Sequence, residues 1–320
     1  MKNEIIYNKI YARLIEVKNI LIISHEHPDG DTLGCASALM EFLFENNKSF
    51  TAYCKDIVPE NFFYLPQTEK ITADKAAVKF SEFDAIIALD CGDLKRTGLY
   101  EEIKTRNKSQ TFINIDHHPK VDDHADLEIK NAKAASTTEL IYEFFKANEI
   151  EINKKIATAI LTGISVDTGN FIFPATSDKA IKISSEMVAA GARLPLIIEK
   201  TWKNKTLDGL KIWGLAMSRL EINHKYSLAY TYLKNEEIKN IDPEELEGLS
   251  NFLGNIKEIK GVMLLIQKDG GMIKGSLRSS HPTADISKLA RVLGGGGHSK
   301  ASGFALEGKI IELEDKIRIN

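Results

Sequence analysis

The stretch INIDHHPK, residues 113–120, carries the first decision about this fold. Ile113 and Ile115 alternate with Asn114 at the period of a β-strand, and Pro119 stops the run because proline has no amide hydrogen to offer a ladder. One aspartate and two histidines therefore stand at the carboxyl end of a strand. In an extended segment neighbouring side chains point to opposite sides. His117 and His118 are thus expected to serve different tasks instead of gripping one ion.

Two further apolar runs end in the same way. ILII (20–23) leads into SHEHPDGD, and AIIAL (85–89) leads into DCGD. Short apolar runs alternating with helical patterns over residues 1–190 predict an α/β domain on a mostly parallel sheet. Such sheets bind ligands outside the carboxyl ends of their strands, so three strands deliver acids and imidazoles to one place. A fourth contribution comes from KKIATAILTGISVDTGNF, where Ile156, Ile160 and Ile164 recur at helical spacing and the pattern stops near Gly169. Asp167 then lies at a helix C-terminus, where the helix dipole disfavours a bare carboxylate and a positive partner is needed.

Residues 191–222 read as a helical linker, with Gly191 and Pro195 marking a break. From 223 to 320 the runs YSLAYTYL, VMLLIQ and MIKGSLR are strand-like, with helical stretches at 243–254 and 285–292. The expected architecture is two α/β domains, a larger N-terminal parallel-sheet domain and a smaller C-terminal mixed-sheet domain. The active site is expected in the cleft.

Composition narrows the class. The chain has 320 residues, 43% hydrophobic and 27% charged, which suits a globular enzyme with two cores. A net charge of −3 argues against a protein that coats long nucleic acid. The three cysteines are odd in number and form no CxxC pair, which fits a reducing compartment and gives no zinc framework. MKNEIIYNKI lacks a signal-peptide pattern and no apolar run reaches spanning length, so the expected location is cytoplasmic, without membrane contact.

In HEHPDGD, residues 25–31, Pro28 and Gly30 hold His25, Asp29 and Asp31 on a tight loop. Imidazole with carboxylates suits manganese, magnesium or similar divalent ions, and two aspartates on one loop can feed two neighbouring ions. Taken alone, the loop reads better as an Asx-rich turn. Asp90, first after its strand, is the candidate bridge between two metals, whereas Asp93 reads as a cap and Cys91 as passive. His117 can coordinate an ion and His118 can face the substrate, with Asp116 orienting an imidazole. Two divalent ions would balance Asp29, Asp31, Asp90 and Asp167 and clamp an in-line displacement at a phosphoryl centre. In the second domain, Arg278 and Ser279 of GSLRSS and the glycines and His298 of GGGGH are the candidate anion binders.

Together HxxPDGD, DCGD, DHH and VDTGNF, followed by GSLRSS and GGGGH, resemble the DHH-family phosphoesterases with their DHH-associated C-terminal domain. The resemblance spans nearly the whole chain. It implies an enzyme like the compact two-domain members, which trim very short oligoribonucleotides and remove the 3′-phosphate of 3′-phosphoadenosine 5′-phosphate. It assigns His25, Asp29 and Asp90 to one manganese, and Asp31, Asp90, His117 and Asp167 to the other, with magnesium or cobalt as alternative ions. His118 would contact the scissile phosphate, and Arg278, Gly296, Gly297 and His298 the nucleotide. His27 departs from the family, which commonly has asparagine there. Short RNA and nucleotide phosphates are the expected partners, no long nucleic acid is held stably, and a homodimer is left open. The rival readings are a phosphodiesterase for cyclic di-AMP or linear pApA, a manganese pyrophosphatase or exopolyphosphatase, a processive exonuclease, and a non-catalytic nucleotide-binding module.

Overall fold

A strand covered on both faces must be apolar at nearly every position, and NILIIS, residues 19–24, meets that demand: all but Asn19 are buried. Ile20 and Ile22 enter one apolar cluster, and Leu21 and Ile23 enter another on the opposite face. AIIAL divides in the same way, with Ile87 on the first side and Ile86 on the second.

These strands belong to a computed structural model that describes residues 2–119, 124–173, 175–203, 205–313 and 316–320. The chain separates into two units, Met1–Asn204 and Lys205–Asn320. In the first, the order is α1 (Lys2–Glu16), β1 (Asn19–Ser24), α2 (Gly30–Glu45), β2 (Ser49–Cys54), β3 (Ile71–Thr72), β4 (Ala85–Leu89), α3 (Tyr100–Lys104), β5 (Thr111–Asp116) and β6 (Leu127–Lys130). Four helices follow: α4 (Thr137–Ala147), α5 (Lys154–Asp167), α6 (Asp178–Ala189) and α7 (Leu194–Thr201). The six strands pair in parallel in the order β3-β2-β1-β4-β5-β6. The strand order therefore reverses between β1 and β4, which lie side by side, and such a reversal opens a crevice at the carboxyl ends where ligands bind.

The second unit contains α8 (Leu207–Ser218), β7 (Glu221–Asn223), β8 (Leu228–Leu233), α9 (Asn235–Ile238), α10 (Leu249–Leu253), β9 (Gly261–Lys268) and β10 (Met272–Arg278). It continues with α11 (Ser287–Val292), β11 (Gly296–Gly297), β12 (Ala301–Glu307) and the hairpin β13 (Ile310–Leu313) and β14 (Lys316–Ile319). Its main sheet runs β11-β12-β10-β9-β8-β7 and is mixed, because β8 and β9 are parallel and the other pairs antiparallel. The fold is thus two α/β domains, the first parallel and the second mixed. The helical stretch 191–222 is shared out: α7 lies in the first unit and α8 in the second. Among the described residues no helix is long and apolar enough to cross a membrane.

Candidate metal centre

The loop after β1 is shaped by helix capping. Asp29 is the N-cap of α2, and its Oδ1 accepts from the amides of Asp31 and Thr32 at 3.0 and 3.1 Å. The Asx turn and the candidate ligand are therefore the same residue. His25 is buried, with Nε2 lying 3.7 Å from Asp29 Oδ1 and 3.6 Å from Asp90 Oδ2. Its Nδ1 stands 2.7 Å from the Glu26 carbonyl and 3.0 Å from Arg96 Nη2. Only the carbonyl can accept from an Nδ1–H, and that tautomer is the one that leaves Nε2 a lone pair for a metal.

Asp90 follows β4 at φ +57°, in the left-handed region that few non-glycine residues adopt. Such strain recurs at functional sites, and here it accompanies a buried carboxylate. Asp90 Oδ1 is 3.6 Å from His117 Nε2 and 3.4 Å from His118 Nδ1. Asp167 closes α5 as expected, and His117 Nε2 lies 3.3 Å from its Oδ2. Among the described residues, ligand atoms fall into three groups, each mutually within 4.8 Å: His25–Asp29–Asp90, Asp31–His117–Asp167, and Asp90–His117–His118.

The two histidine rings do not point to opposite sides. β5 ends at Asp116, so strand alternation stops just before the pair. The ring centroids are 4.6 Å apart with planes at 72°, and both rings approach Asp90. What distinguishes them is the partner of each Nδ1. His117 Nδ1 faces the Ala134 carbonyl at 3.3 Å, which leaves Nε2 toward Asp90 and Asp167. His118 Nδ1 lies 2.9 Å from Asp116 Oδ1, which also accepts the His118 amide. Asp116 is held in turn by the Gly92 amide at 3.1 Å and by Lys130 Nζ at 3.0 Å.

The electrostatics describe a cluster short of positive charge. Burial, and then Asp90, push the Asp31 carboxyl up to about 7. Burial likewise pushes Asp167 well above the carboxylate range, with Asp31, Asp29 and Asp90 adding to it. Burial opposes the charged form of His25, yet Asp29 and Asp90 outweigh it and raise the imidazole to about 10. His118 follows the same pattern through Asp116 and Asp90, also reaching about 10. Protons thus occupy places that cations would take. An oxygen-and-imidazole donor set with this charge deficit fits hard divalent ions.

Sequence reasoning overlooked the residues that hold this set together. Asp31 Oδ2 accepts the Thr137 amide at 2.6 Å, while Oδ1 accepts the Thr138 amide at 2.9 Å and its hydroxyl at 2.8 Å. The N-terminus of α4 therefore grips a carboxylate, as helix N-termini do. Gly163 of α5 makes room for it, since a Cβ there would stand 2.5 Å from Asp31 Oδ1. The available signal was STTE, residues 136–139, which has the S/T-x-x-E pattern of a helix start. Ser136 Oγ does accept the Glu139 amide at 3.2 Å. Asp93 is a cap, accepting from the Lys95 amide at 2.8 Å, and Cys91 is a buried free thiol. His27 joins none of the ligand groups found among the described residues; its ring is exposed beside Asp56.

In the second unit, Arg278 ends β10. Its Nε donates to Asn251 Oδ1 and its Nη1 to the Leu277 carbonyl at 2.9 Å. Burial lowers its pKa, and among the described residues no carboxylate pairs with it. Ser279 Oγ donates to the Lys260 carbonyl at 2.5 Å. Two of the four amides of the glycine run are engaged in closing a helix. Gly294 and Gly295 donate to the Arg291 and Ala290 carbonyls at 3.1 and 2.8 Å, closing α11, and Gly296–Gly297 form β11 against β12. The His298 amide donates to the Ala301 carbonyl at 2.7 Å.

Comparison with known proteins gives this geometry a family. Residues 19–164 match the model of the DHH family, N-terminal domain, and residues 225–318 match the DHHA1 domain. The chain is 26% identical to the bifunctional oligoribonuclease and PAP phosphatase of Bacillus subtilis, over 96% of this chain and 93% of that protein. It is 23% identical to the cyclic-di-AMP phosphodiesterase of Bacillus subtilis, over 96% of this chain but 48% of that protein. Among solved structures, an exopolyphosphatase-related protein from Bacteroides fragilis superposes with a TM-score of 0.88 at 27% identity, covering 98% of this chain and 93% of that one. The chain belongs to the DHH-family phosphoesterases, with the DHH domain in its first unit and a DHHA1 domain in its second.

Proposed function

We propose that this phosphoesterase hydrolyses very short oligoribonucleotides to mononucleotides and removes the 3′-phosphate of 3′-phosphoadenosine 5′-phosphate. The observation that carries the reading is its similarity, nearly end to end, to a protein named for both activities. His25, Asp29 and Asp90 would hold one divalent ion, and Asp31, Asp90, His117 and Asp167 the other, with manganese preferred over magnesium or cobalt. Such ions, when bound, would supply an activated water and charge neutralisation for the phosphoryl oxygens. The chain's own part is orientation. Asp116, fixed by Gly92 and Lys130, ties down His118 Nδ1, and the ring's Nε2 is assigned to the scissile phosphate. Arg278, a half-buried guanidinium with no carboxylate paired to it among the described residues, is assigned to the nucleotide's phosphate.

A second reading, cleavage of cyclic di-AMP or linear pApA, draws on the similarity to the cyclic-di-AMP phosphodiesterase. The exopolyphosphatase reading draws on the Bacteroides protein. A panel of diribonucleotides, longer RNAs, 3′-phosphoadenosine 5′-phosphate, cyclic di-AMP and polyphosphate separates them. The expected result is highest kcat/KM for the shortest RNAs with a steep fall as length grows. Undiminished degradation of long RNA, or a preference for cyclic di-AMP or polyphosphate, would overturn the reading.

A further inference from the structure

Thr137, the first residue of α4, touches three candidate ligands that arrive from three other segments. Its amide donates to Asp31 Oδ2 at 2.6 Å, its Oγ1 lies 2.7 Å from Asp90 Oδ1, and the same Oγ1 lies 3.2 Å from the His117 amide. The residue is fully buried. Hydrogen-bond chemistry fixes the direction of each contact. An amide can only donate and an ionised carboxylate can only accept. The single hydroxyl proton must therefore go to Asp90, while the oxygen receives the proton of His117 N–H.

We propose that the Thr137 hydroxyl is a positioning residue that keeps Asp90 bridging the two candidate metal sites. The proposal rests on the dinuclear reading given above and adds to it the group that sets the bridge. Asp90 Oδ2 faces His25 Nε2 at 3.6 Å, and Oδ1 faces His117 Nε2 at 3.6 Å. To serve both sites the carboxylate must keep one oxygen on each side. The left-handed backbone at Asp90 places its Cβ, but the terminal torsion of an aspartate is broad and sets no plane by itself. A short bond to one named oxygen does set it. His118 Nδ1 is a poorer candidate, because it is 3.4 Å from Asp90 Oδ1 and is already engaged by Asp116 at 2.9 Å. Nor is the hydroxyl spent on ending the helix, since Ser136 caps α4 through the Glu139 amide. If the carboxylate turned, the His117 side would keep Asp31, His117 and Asp167 but lose the ligand it shares with the His25 side.

The test is manganese binding to the full chain, followed by calorimetric titration and by electron paramagnetic resonance. Wild type is expected to take up two ions and show a spin-coupled pair. Thr137→Val removes the hydroxyl and keeps the shape. It should bind one ion as wild type does and the second about 10–100-fold more weakly, the usual range for losing a group that orients a ligand. The coupled signal should vanish at manganese levels that saturate wild type. Thr137→Ser, which keeps the hydroxyl, should restore both ions. Should Thr137→Val not fold by circular dichroism, Thr137→Ala removes the same hydroxyl and carries the same expectation. Two ions bound at wild-type affinity in the hydroxyl-free variant would overturn the bridge alone. A Thr137→Ser variant as weak as Thr137→Val would overturn it too, because the methyl contact would then be what matters. Wild type binding fewer than two ions would overturn the dinuclear reading and the bridge with it.

Discussion

The two units carry opposite electrostatic deficits. In the first, carboxylates crowd together, and burial and then the neighbouring carboxylates drive Asp31 and Asp167 upward. In the second, desolvation lowers the pKa of the half-buried Arg278 guanidinium, which among the described residues has carbonyl and amide oxygens around it but no paired carboxylate. Each unit thus suits a ligand of the opposite sign. The first calls for cations and the second for an anion. The phosphate ester and divalent ions of the proposed function would meet these two demands, and variants of each unit should therefore fail in different observables.

The largest expected effect falls on the shared ligand. Asp90→Ala should lose both ions by elemental analysis and lower kcat by about 10³-fold or more, since metals contribute several kcal/mol of transition-state charge stabilisation. Near-normal turnover in this variant would break the assignment of chemistry to the first unit.

Within that unit the adjacent histidines sharpen the comparison. His117→Ala should lose one ion. His118→Ala should keep both and lose about 10²–10⁴-fold in kcat, the range for a positioned proton-transferring group. The rings are too close for direction to separate them. The separation rests on Asp116, which engages His118 and not His117. Equal metal loss in the two variants would place both rings among the ligands.

What could be read in advance follows the same division. Runs apolar on both faces announced the parallel sheet, and acids and histidines directly after β1, β4 and β5 announced the site. Those residue types are rarely placed at strand ends for packing alone. The strand order that sets β1 beside β4 was not legible, because a run of Ile and Leu does not name its neighbour. Thr137 was hidden for a related reason: its amide serves a carboxylate 106 positions away, and any residue type has an amide. Two of the four glycine amides were not available as expected, because glycine reports backbone freedom and not whether the amide is already engaged. Gly294 and Gly295 spend theirs on α11.

In the second unit the expected effect is smaller and of another kind. Arg278→Ala removes charge-assisted hydrogen bonds worth about 1.5–3 kcal/mol, so KM for a dinucleotide should rise about 10–100-fold. Metal content should stay at the wild-type level. A loss of metal in Arg278→Ala would erase the contrast between the units.

The smallest effect is expected at His27, where the chain departs from the family. Its φ is +52°, a conformation that asparagine tolerates better than most residues. Its amide donates to Asp56 Oδ2 at 2.7 Å, a bond that any residue but proline can make. The ring adds a contact of 3.2 Å to the same oxygen while remaining 84% exposed, and exposed pairs contribute about 0–1 kcal/mol. His27→Asn should therefore keep both ions and change kcat/KM by no more than a few-fold. Steady-state kinetics with a dinucleotide, beside elemental analysis, checks both expectations. If an ion leaves with the ring, His27 is a ligand, and the boundary of the cation-seeking cluster must be redrawn to include it.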